Sequence, residues 1–119
     1  MRVAVLGASD KEDRYAYRAV ELLLKHGHEV YPVHPRIKTV LGVPVYPRLA
    51  AVPDSPDTIT LYVSAGISSG IQADILKSRP RRIIFNPGTE NEALERRAQA
   101  AGIMTQHACT ILLLKSGQF

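Results

Sequence analysis

Residues 3–9 read VAVLGAS, an apolar run that stops abruptly at a glycine. Every side chain from Val3 to Leu6 is apolar, which indicates a strand buried on both faces of a sheet. Gly7 permits a tight turn and the close approach of a ligand to the backbone. A charged stretch then leads into a helical pattern from Tyr15 to His26, with Asp13 as the expected cap. Strand, glycine turn and helix are the opening unit of a parallel α/β domain.

The same alternation continues to the end of the chain. Further strands are predicted at His28–Val33, Thr58–Val63, Arg82–Phe85 and Ile103–Gln106, and helices at Ser68–Ser78 and Asn91–Ala101, the latter with Thr89 and Glu92 as a capping box. Lys38–Tyr46 reads as an irregular excursion, and Thr110–Lys115 as either a last strand or a short helix. The pattern predicts one α/β domain over residues 1–119. We expect a Rossmann-like, doubly wound fold with a five-stranded, mostly parallel sheet and helices on both faces.

Composition narrows the class of protein. The 119 residues carry 15 basic and 11 acidic side chains, a mild net charge of +4 that suits an anionic ligand. The sequence contains no dense basic run with interleaved aromatic residues, so nucleic-acid binding is not predicted. It also contains no apolar run of the roughly 20 residues that are needed to span a membrane. Cys109 is the single cysteine, so an intrachain disulfide is excluded. These features predict a soluble, cytoplasmic protein.

The loops at the carboxyl ends of the strands are the expected ligand site of such a sheet. In the first loop, Gly7 and Ala8 bring the backbone close, and Ser9 adds a hydroxyl and an amide. Backbone amides at the start of the following helix would face an anion. Arg14 at that helix start could pair with a phosphate. We therefore predict a phosphate site on this loop.

The residues that follow the second strand indicate whether the ligand has free or phosphorylated ribose hydroxyls. NAD-binding folds usually have an acidic residue about 20 positions after the first glycine, to hold the ribose hydroxyls. Here the stretch from Val33 reads V-H-P-R, with His34 and Arg36 and no acid. That chemistry suits a phosphate on the ribose, as in NADP or coenzyme A. A plain surface turn at Pro35 is an equally weighted alternative.

Two later loops complete the candidate set. The loop from Asn86 to Asn91 is expected across the switch point from Gly7, with Asn86, Gly88 and Asn91 near the ligand; helix capping is the alternative. Cys109 follows the last predicted strand. The first interpretation is an inert, buried thiol. The alternatives are a thiol that lies near the ligand and a catalytic Cys–His pair with His107. Zinc-type ligand spacing is absent, so no metal site is predicted.

The assembled pattern is similar to a known family. The pieces that carry the resemblance follow one another along the chain: V-L-G-A-S at 5–9, R-Y-A-Y at 14–17, G-H-E-V-Y-P-V-H-P at 27–35, L-G-V-P-V-Y at 41–46, N-P-G-T-E-N-E at 86–92, A-A-G-I at 100–103, and Cys109. The chain resembles the small stand-alone CoA-binding-domain proteins. Their Rossmann-like domain is similar to the nucleotide-binding part of the succinyl-CoA synthetase α subunit.

The resemblance implies coenzyme A in the crevice. By that analogy Gly7, Ala8 and Ser9 would cradle a phosphate, with Arg14 as its charge partner. The adenosine and its 3′-phosphate would lie near His34, Pro35 and Arg36. The family more often has Asn at the position of His34. Val63 and Ser64 would line the adenine or pantetheine side, Asn86 to Asn91 (including Gly88) the pyrophosphate or pantetheine side, and Cys109 would lie deep, within reach of the CoA thiol.

Three functions follow as hypotheses. The leading one is non-enzymatic binding of coenzyme A or an acyl-CoA by a carrier, sensor or regulatory module. In the synthetases the phosphorylated histidine belongs to a second domain, so the resemblance gives His107 no catalytic role. An enzyme or enzyme subunit that acts on an acyl-CoA or uses NADP is the second hypothesis. The third is a ligand-controlled interaction module, with Ile111–Leu114 as a homodimer contact.

Overall fold

The computed structural model describes residues 1–119. The strands are β1 Arg2–Leu6, β2 Glu29–Val33, β3 Thr39–Val40, β4 Val43–Pro44, β5 Thr58–Leu61, β6 Arg82–Phe85 and β7 Met104–His107. The helices are α1 Tyr15–Lys25, α2 Ala65–Gly70, α3 Gln72–Lys77, α4 Glu92–Ala100 and α5 Thr110–Lys115, with a short 3-10 helix at Leu49–Ala51. The ambiguous C-terminal stretch is therefore a helix. None of the helices has the length and apolar character needed to cross a bilayer.

Five strands form one sheet in the order β2-β1-β5-β6-β7, and every neighbouring pair is parallel. The predicted Rossmann-like α/β fold is confirmed. The chain winds outward from β1 in one direction to β2 and in the other to β5. The strand order thus reverses between β1 and β5, where ligands of doubly wound sheets bind. The loops that follow β1, β2 and β5 lead away from this point.

Alternate side chains of the buried strands enter two cores, one on each face. On one face, residues such as Leu6, Ile59 and Phe85 pack against α3, α4 and the 3-10 helix. On the other, Val3 and Val5 pack against α1, the β3–β4 hairpin and α5. Because parallel strands carry helices on both faces, the inner strands are buried on both faces, and their buried side chains are apolar apart from Thr58 and Thr60 of β5.

The β3–β4 hairpin is the excursion predicted at Lys38–Tyr46. Its antiparallel pair joins Val40 to Val43. The chain then returns to β2: the Tyr46 amide donates to the Pro32 carbonyl at 2.9 Å, and the Tyr46 carbonyl accepts from the His34 amide at 3.0 Å. This return covers the β2 edge and brings the segment after Tyr46 next to the loop after β2.

Helix starts differ from their predicted caps. Arg14, not Asp13, is the residue that precedes α1, and α1 has no side-chain cap. Asn91 caps α4 through its Oδ1, which accepts from the Leu94 amide at 3.1 Å, so the predicted capping box is wrong. An amide side chain at the capping position satisfies the free amide directly. The second predicted helix begins earlier, after Ser64, and divides at Ile71 into α2 and α3.

Candidate functional site

A cavity of about 900 Å³ opens at the carboxyl edge of the sheet, over the point where strand order reverses. Its wall on the α1 side is formed by the β1–α1 loop and the first residues of α1. The loop after β2 and residues Pro47 to Leu49 form a second wall. The third comes from the loop after β5 and from the cavity-facing side of α2 and α3, at Ile67, Ile71 and Asp74. The cavity therefore lies where the topology of a doubly wound sheet places a ligand.

Gly7 sets how closely the β1–α1 loop approaches the loop after β5. Its φ of +89° favours glycine, and a Cβ built there would lie 2.7 Å from the Tyr62 carbonyl oxygen and 2.7 Å from Val63 Cγ1. Any side chain at this position would push the two loops apart. The glycine is required by packing between two walls of the cavity, in addition to the turn.

The loop offers amide donors only from Ser9 onward. The amides of Gly7 and Ala8 both donate to the Val33 carbonyl, at 3.0 and 3.2 Å, and so tie β1 to β2. The Ser9 amide makes no hydrogen bond within the chain, while Ser9 Oγ accepts from the Lys11 amide at 3.1 Å. The donors of this loop that have no acceptor within the chain are thus the Ser9 hydroxyl and the amides of Ser9 and Asp10.

The start of α1 faces the same space. Arg14, Tyr15 and Ala16 line the cavity, the helix has no side-chain cap, and no acidic residue occupies its first turn. Uncapped first-turn amides and the positive end of the helix dipole together attract an anion. Lys11 and Arg14 add two positive charges at this wall, Asp10 adds one negative charge, and the side chains of Lys11 and Arg14 are exposed and unpaired. The free amides, the helix dipole and the excess of positive charge all make this wall electrostatically favourable for an anion.

His34, in the loop after β2, both stabilises the turn and lines the cavity. Its Nδ1 accepts from the amides of Arg36 and Ile37, at 3.0 and 3.2 Å, and so closes the turn. A ring nitrogen that accepts two amides carries no proton in that arrangement, so the neutral ring holds its proton on Nε2. His34 lines the cavity, and its Nε2 makes no hydrogen bond within the chain.

The structure brings eight of the thirteen predicted site residues to this cavity. They are Gly7, Ala8, Ser9, Arg14, His34, Pro35, Val63 and Ser64. Arg36 is exposed on the turn beside His34 without lining the cavity. Gly88 is exposed, and its amide donates to the Glu90 carboxylate at 3.1 Å. The remaining three, Asn86, Asn91 and Cys109, lie away from the cavity, and each has its own structural surroundings.

Asn86 is buried and occupied by internal hydrogen bonds. Its Nδ2 donates to Thr60 Oγ1 at 2.7 Å and to the Leu61 carbonyl at 2.8 Å, and its Oδ1 accepts from the Thr110 amide at 2.8 Å. Thr60 and Thr110 share a further bond of 2.7 Å between their hydroxyls. The side chain thus joins β5, β6 and the start of α5. The loop predicted to face Gly7 lies one strand further, because β5, not β6, is the neighbour of β1.

Asn91 makes a second internal network. Besides capping α4, its Nδ2 donates to Ser68 Oγ at 2.8 Å, to Ser69 Oγ at 3.1 Å and to the Ala65 carbonyl at 3.4 Å. Ser68 is fully buried. Asn91 therefore holds α2 in place without lining the cavity itself. Because Ile67 of α2 lines the cavity, Asn91 positions part of the cavity wall.

Cys109 and His107 do not form a pair. Cys109 precedes α5 and lines a separate cavity of about 460 Å³ with Leu112, Leu113 and neighbouring residues. His107 stacks on Phe85 and bonds through Nε2 to Glu95 Oε1 at 2.8 Å. This hydrogen bond holds the pKa of Glu95 below its usual range. The His–Glu contact is exposed and lies outside the large cavity.

Several cavity residues were not predicted from the sequence. Tyr62 lines the cavity while its hydroxyl is buried, and burial raises the pKa of this phenol. Ile67, Ile71 and Asp74 have the spacing i, i+4 and i+7 of one helix face, and they line the cavity together although the helix divides at Ile71. Pro47 to Leu49 line the cavity because the chain returns to β2, for which the sequence carries no local signal, whereas Asp10, Lys11, Tyr15 and Ala16 are neighbours of the predicted Ser9 and Arg14.

Comparison with known proteins gives one family. Residues 1–115 match the model of a family described as the CoA binding domain. The chain is 33% identical over 63 residues to an ADP-forming acetate–CoA ligase I of Archaeoglobus fulgidus, a match that covers 53% of this chain and 9% of the ligase.

Solved structures agree in fold. The crystal structure of an uncharacterized protein superposes with a TM-score of 0.93 at 39% identity, covering 99% of this chain and 97% of the other. The dinucleotide-forming acetyl-coenzyme A synthetase 1 of Ca. Korarchaeum cryptofilum, in complex with phosphate and ADP, superposes with a TM-score of 0.77 at 26% identity. That match covers 90% of this chain and 25% of the synthetase, so this chain spans a quarter of the larger protein.

Proposed function

The chain belongs to the CoA binding domain family, and from that premise we propose that its cavity binds coenzyme A or an acyl-CoA. The observation that carries the proposal is the positively charged wall at the start of α1, where the free Ser9 amide, the uncapped first turn and Arg14 line the 900 Å³ cavity. A pyrophosphate needs several convergent donors, and this wall provides them. Lys11 adds a further charge.

The 3′-phosphate of the ligand is assigned to the loop after β2. His34 lines the cavity with an Nε2 that makes no hydrogen bond within the chain, and Arg36 stands exposed on the same turn. No carboxylate lies on this loop to hold a free pair of ribose hydroxyls, as NAD would require. These features favour a phosphorylated ribose.

We propose binding without chemistry of the protein's own, in a cytoplasmic carrier or sensor. The support is the distribution of reactive side chains: Cys109 lines a different cavity, His107 is bonded to Glu95 outside the site, and His34 uses one nitrogen to close a turn. An acyl group would then be held for a partner rather than transferred by this chain.

Native mass spectrometry of the purified protein with CoA, NADP and NAD added separately tests the ligand class. We expect a 1:1 adduct with CoA. Titration calorimetry with dephospho-CoA tests the role of the β2 loop, and we expect weaker binding by about tenfold for the loss of one charge-assisted phosphate contact. Binding of NADP alone would make the site a dinucleotide site, and equal affinity for dephospho-CoA would remove the role of His34 and Arg36.

A further inference from the structure

The two outer strands of the five-stranded sheet differ in how they are covered. Along β2, the returning chain at Tyr46 pairs with the backbone of Pro32 and His34. At the other side of the sheet, β7 pairs with β6 alone, and its side chains are exposed or half-buried. β7 also has no charged side chain and no proline, which are the usual means of keeping an outer strand from pairing with another chain. Its free side is therefore open to a further strand.

The free backbone groups on that side belong to Thr105 and His107. The amides of Met104 and Ala108 donate to carbonyls on the β6 side, at 3.1 and 3.2 Å. Because the backbone groups of successive strand residues point to opposite sides, the N–H and C=O groups of Thr105 and His107 point away from β6. No backbone hydrogen bond from a turn, loop or helix reaches them. β7 thus presents two residues, two positions apart, whose backbone can pair with a new strand.

This spacing is self-complementary. A second copy placed antiparallel to the first, about a twofold axis beside Gln106, brings Thr105 of each copy opposite His107 of the other. Each such pair exchanges two backbone hydrogen bonds, so every free group of Thr105 and His107 finds a partner. Gln106 lies opposite Gln106 of the second copy. A contact of this kind uses the same surface on both copies and closes on itself.

The side chains near β7 fit the same register. Met104, Gln106 and Ala108 share the face of the sheet that α5 covers, as the pairing of β5, β6 and β7 shows. The twofold axis places Met104 of one copy beside Ala108 of the other. The Met104 side chain is 65% exposed, and Ala108 lines the cavity of about 460 Å³ together with Leu112, which is 63% exposed. An exposed apolar side chain and an open apolar cavity therefore lie at the spacing that one symmetric contact requires.

We propose that β7 is an interface between two copies of this chain, which join their sheets through antiparallel β7 strands and insert Met104 of each copy into the cavity beside α5 of the other. The match between Met104 and this cavity favours a second copy over an unrelated extended peptide, because both halves of the contact lie on the same chain. Ile111 and Leu114 are buried in their own chain, so the part of α5 that meets the second copy is Leu112.

Sedimentation velocity of the full chain from about 5 to 500 μM tests the association, and a concentration-dependent dimer is expected. Thr105→Pro removes an amide that has no partner in the single chain, so it should spare the β6 pairing and raise the dissociation constant of the dimer about tenfold or more. Thr105→Ala is the matched control: it loses the same hydroxyl, keeps the amide, and should dimerise like the wild type.

Met104→Asp tests the side-chain contact without altering the backbone. The exposed position should tolerate the charge in the single chain, whereas a carboxylate in the apolar cavity of the second copy should weaken the dimer about tenfold or more. Leu41→Asp makes the same kind of change at an exposed apolar residue of the β3–β4 hairpin, away from β7, and should leave the dimer unchanged.

Cross-linking tests the register. In a Cys109→Ser background, Gln106→Cys places two thiols on the twofold axis, with Cα atoms about 4.5 Å apart, within reach of a disulfide. Oxidation by diamide, which takes up the two electrons and two protons of the thiols, should give a covalent dimer. Met104→Cys in the same background places its thiols about 14 Å apart along the paired strands, and should stay uncross-linked.

The results decide the proposal whether or not each variant folds. A wild-type protein that stays monomeric over the whole concentration range overturns it. So does a dimer that Met104→Asp and Leu41→Asp weaken equally, or one that cross-links at Met104→Cys and not at Gln106→Cys. If Thr105→Pro melts well below the wild type, Met104→Asp and the cross-links decide. β6 separates β7 from the strands at the large cavity, so the proposal stands or falls independently of CoA binding.

Discussion

Two groups of polar residues lie side by side along the carboxyl edge of the sheet, and they use their polar atoms in opposite ways. Around the cavity, the Ser9 amide and the start of α1 have hydrogen-bonding capacity that the chain leaves unused. One strand further, Asn86 and Asn91 are buried, and each makes several bonds to the chain itself. The first group can meet a ligand, and the second holds the loops that meet it. Polar groups that follow neighbouring strands of one sheet therefore differ in whether the chain itself uses their hydrogen-bonding capacity.

Substitution of Gly7 gives the largest expected effect, because a side chain there would clash with the backbone of the loop after β5. Gly7→Ala places a Cβ 2.7 Å from the Tyr62 carbonyl at a φ of +89°. We expect the free energy of unfolding to fall by about 3 kcal/mol or more, from backbone strain and a clash with backbone that cannot move aside. Urea denaturation measures the loss, and CoA binding should weaken as the two loops separate.

Gly88→Ala is the matched control for that prediction. Gly88 has the same φ of +89°, but a Cβ there would have no atom within 4 Å. It should lose only the strain of the left-handed conformation, about 1 kcal/mol. Equal destabilisation of the two variants would mean that the contact between the β1 and β5 loops contributes nothing.

Asn86→Ala tests the buried group. The substitution leaves the Thr110 amide and the Leu61 carbonyl without their partner in the protein interior. We expect a loss of about 2 kcal/mol in the free energy of unfolding. Affinity for CoA, measured well below the melting temperature, should change little. A variant that keeps its stability and loses CoA binding would move Asn86 into the ligand site.

Arg14→Ala is expected to give the reverse result. Its side chain is exposed, so the melting temperature should stay close to that of the wild type. The affinity for CoA should fall by about tenfold through loss of a charge-assisted phosphate contact. Arg18→Ala, one turn further along α1 and outside the cavity, removes the same charge and serves as control. Equal weakening by both variants would indicate a general field effect rather than a contact.

The smallest expected effect is the pH dependence of stability that comes from His28. This residue lies at the opposite edge of the sheet from the cavity and belongs to neither group. Burial, and then the charge of the Met1 ammonium, lower the pKa of His28, whose ring packs against Phe119. The unfolded chain therefore binds this proton at higher pH than the folded chain. Stability from the neutral ring is full above the unfolded value of about 6.5 and declines as the pH falls from there through the folded pKa.

Thermal melting between pH 7.5 and 5.5 measures this term. The decrease in melting temperature should be smaller in His28→Gln than in the wild type. His26→Gln, an exposed neighbour at the end of α1, should behave like the wild type. A wild-type protein whose melting temperature rises as the pH falls over this range would contradict the sign of the effect.

The fold was predictable because its signals are local. The VAVL run, the helical spacing from Tyr15, and the glycine or proline that follows each predicted helix mark the elements, and their strict alternation leaves few topologies. The position of Gly7 at the end of the first strand followed from the same pattern. The caps of α1 and α4 were predicted wrongly, since Asp13 and Thr89 are chemically able to cap, and the neighbouring backbone decides which residue does so.

The site was predictable only in part. Gly7 to Ser9 and His34 lie at the ends of strands that the sequence itself marks, so their meeting follows from any parallel sheet that begins at β1. The roles of Asn86 and Asn91 depend on which strand adjoins β1, and neither residue differs in kind from a ligand-binding amide. Asp74 and Arg48 come from distant segments and lie 3.9 Å apart only in the folded chain.

The sequence by itself therefore determined the elements, the parallel sheet and the loop that begins at Gly7, because hydrophobic periodicity and turn residues act over a few positions. Tertiary structure alone decided which polar groups remain free. A donor such as the Ser9 amide is available to a ligand when no carbonyl or side chain reaches it, and Asn86 is unavailable because Thr60 and Thr110 do reach it. Hydrogen-bond satisfaction depends on contacts between residues far apart in the chain, which local pattern does not encode.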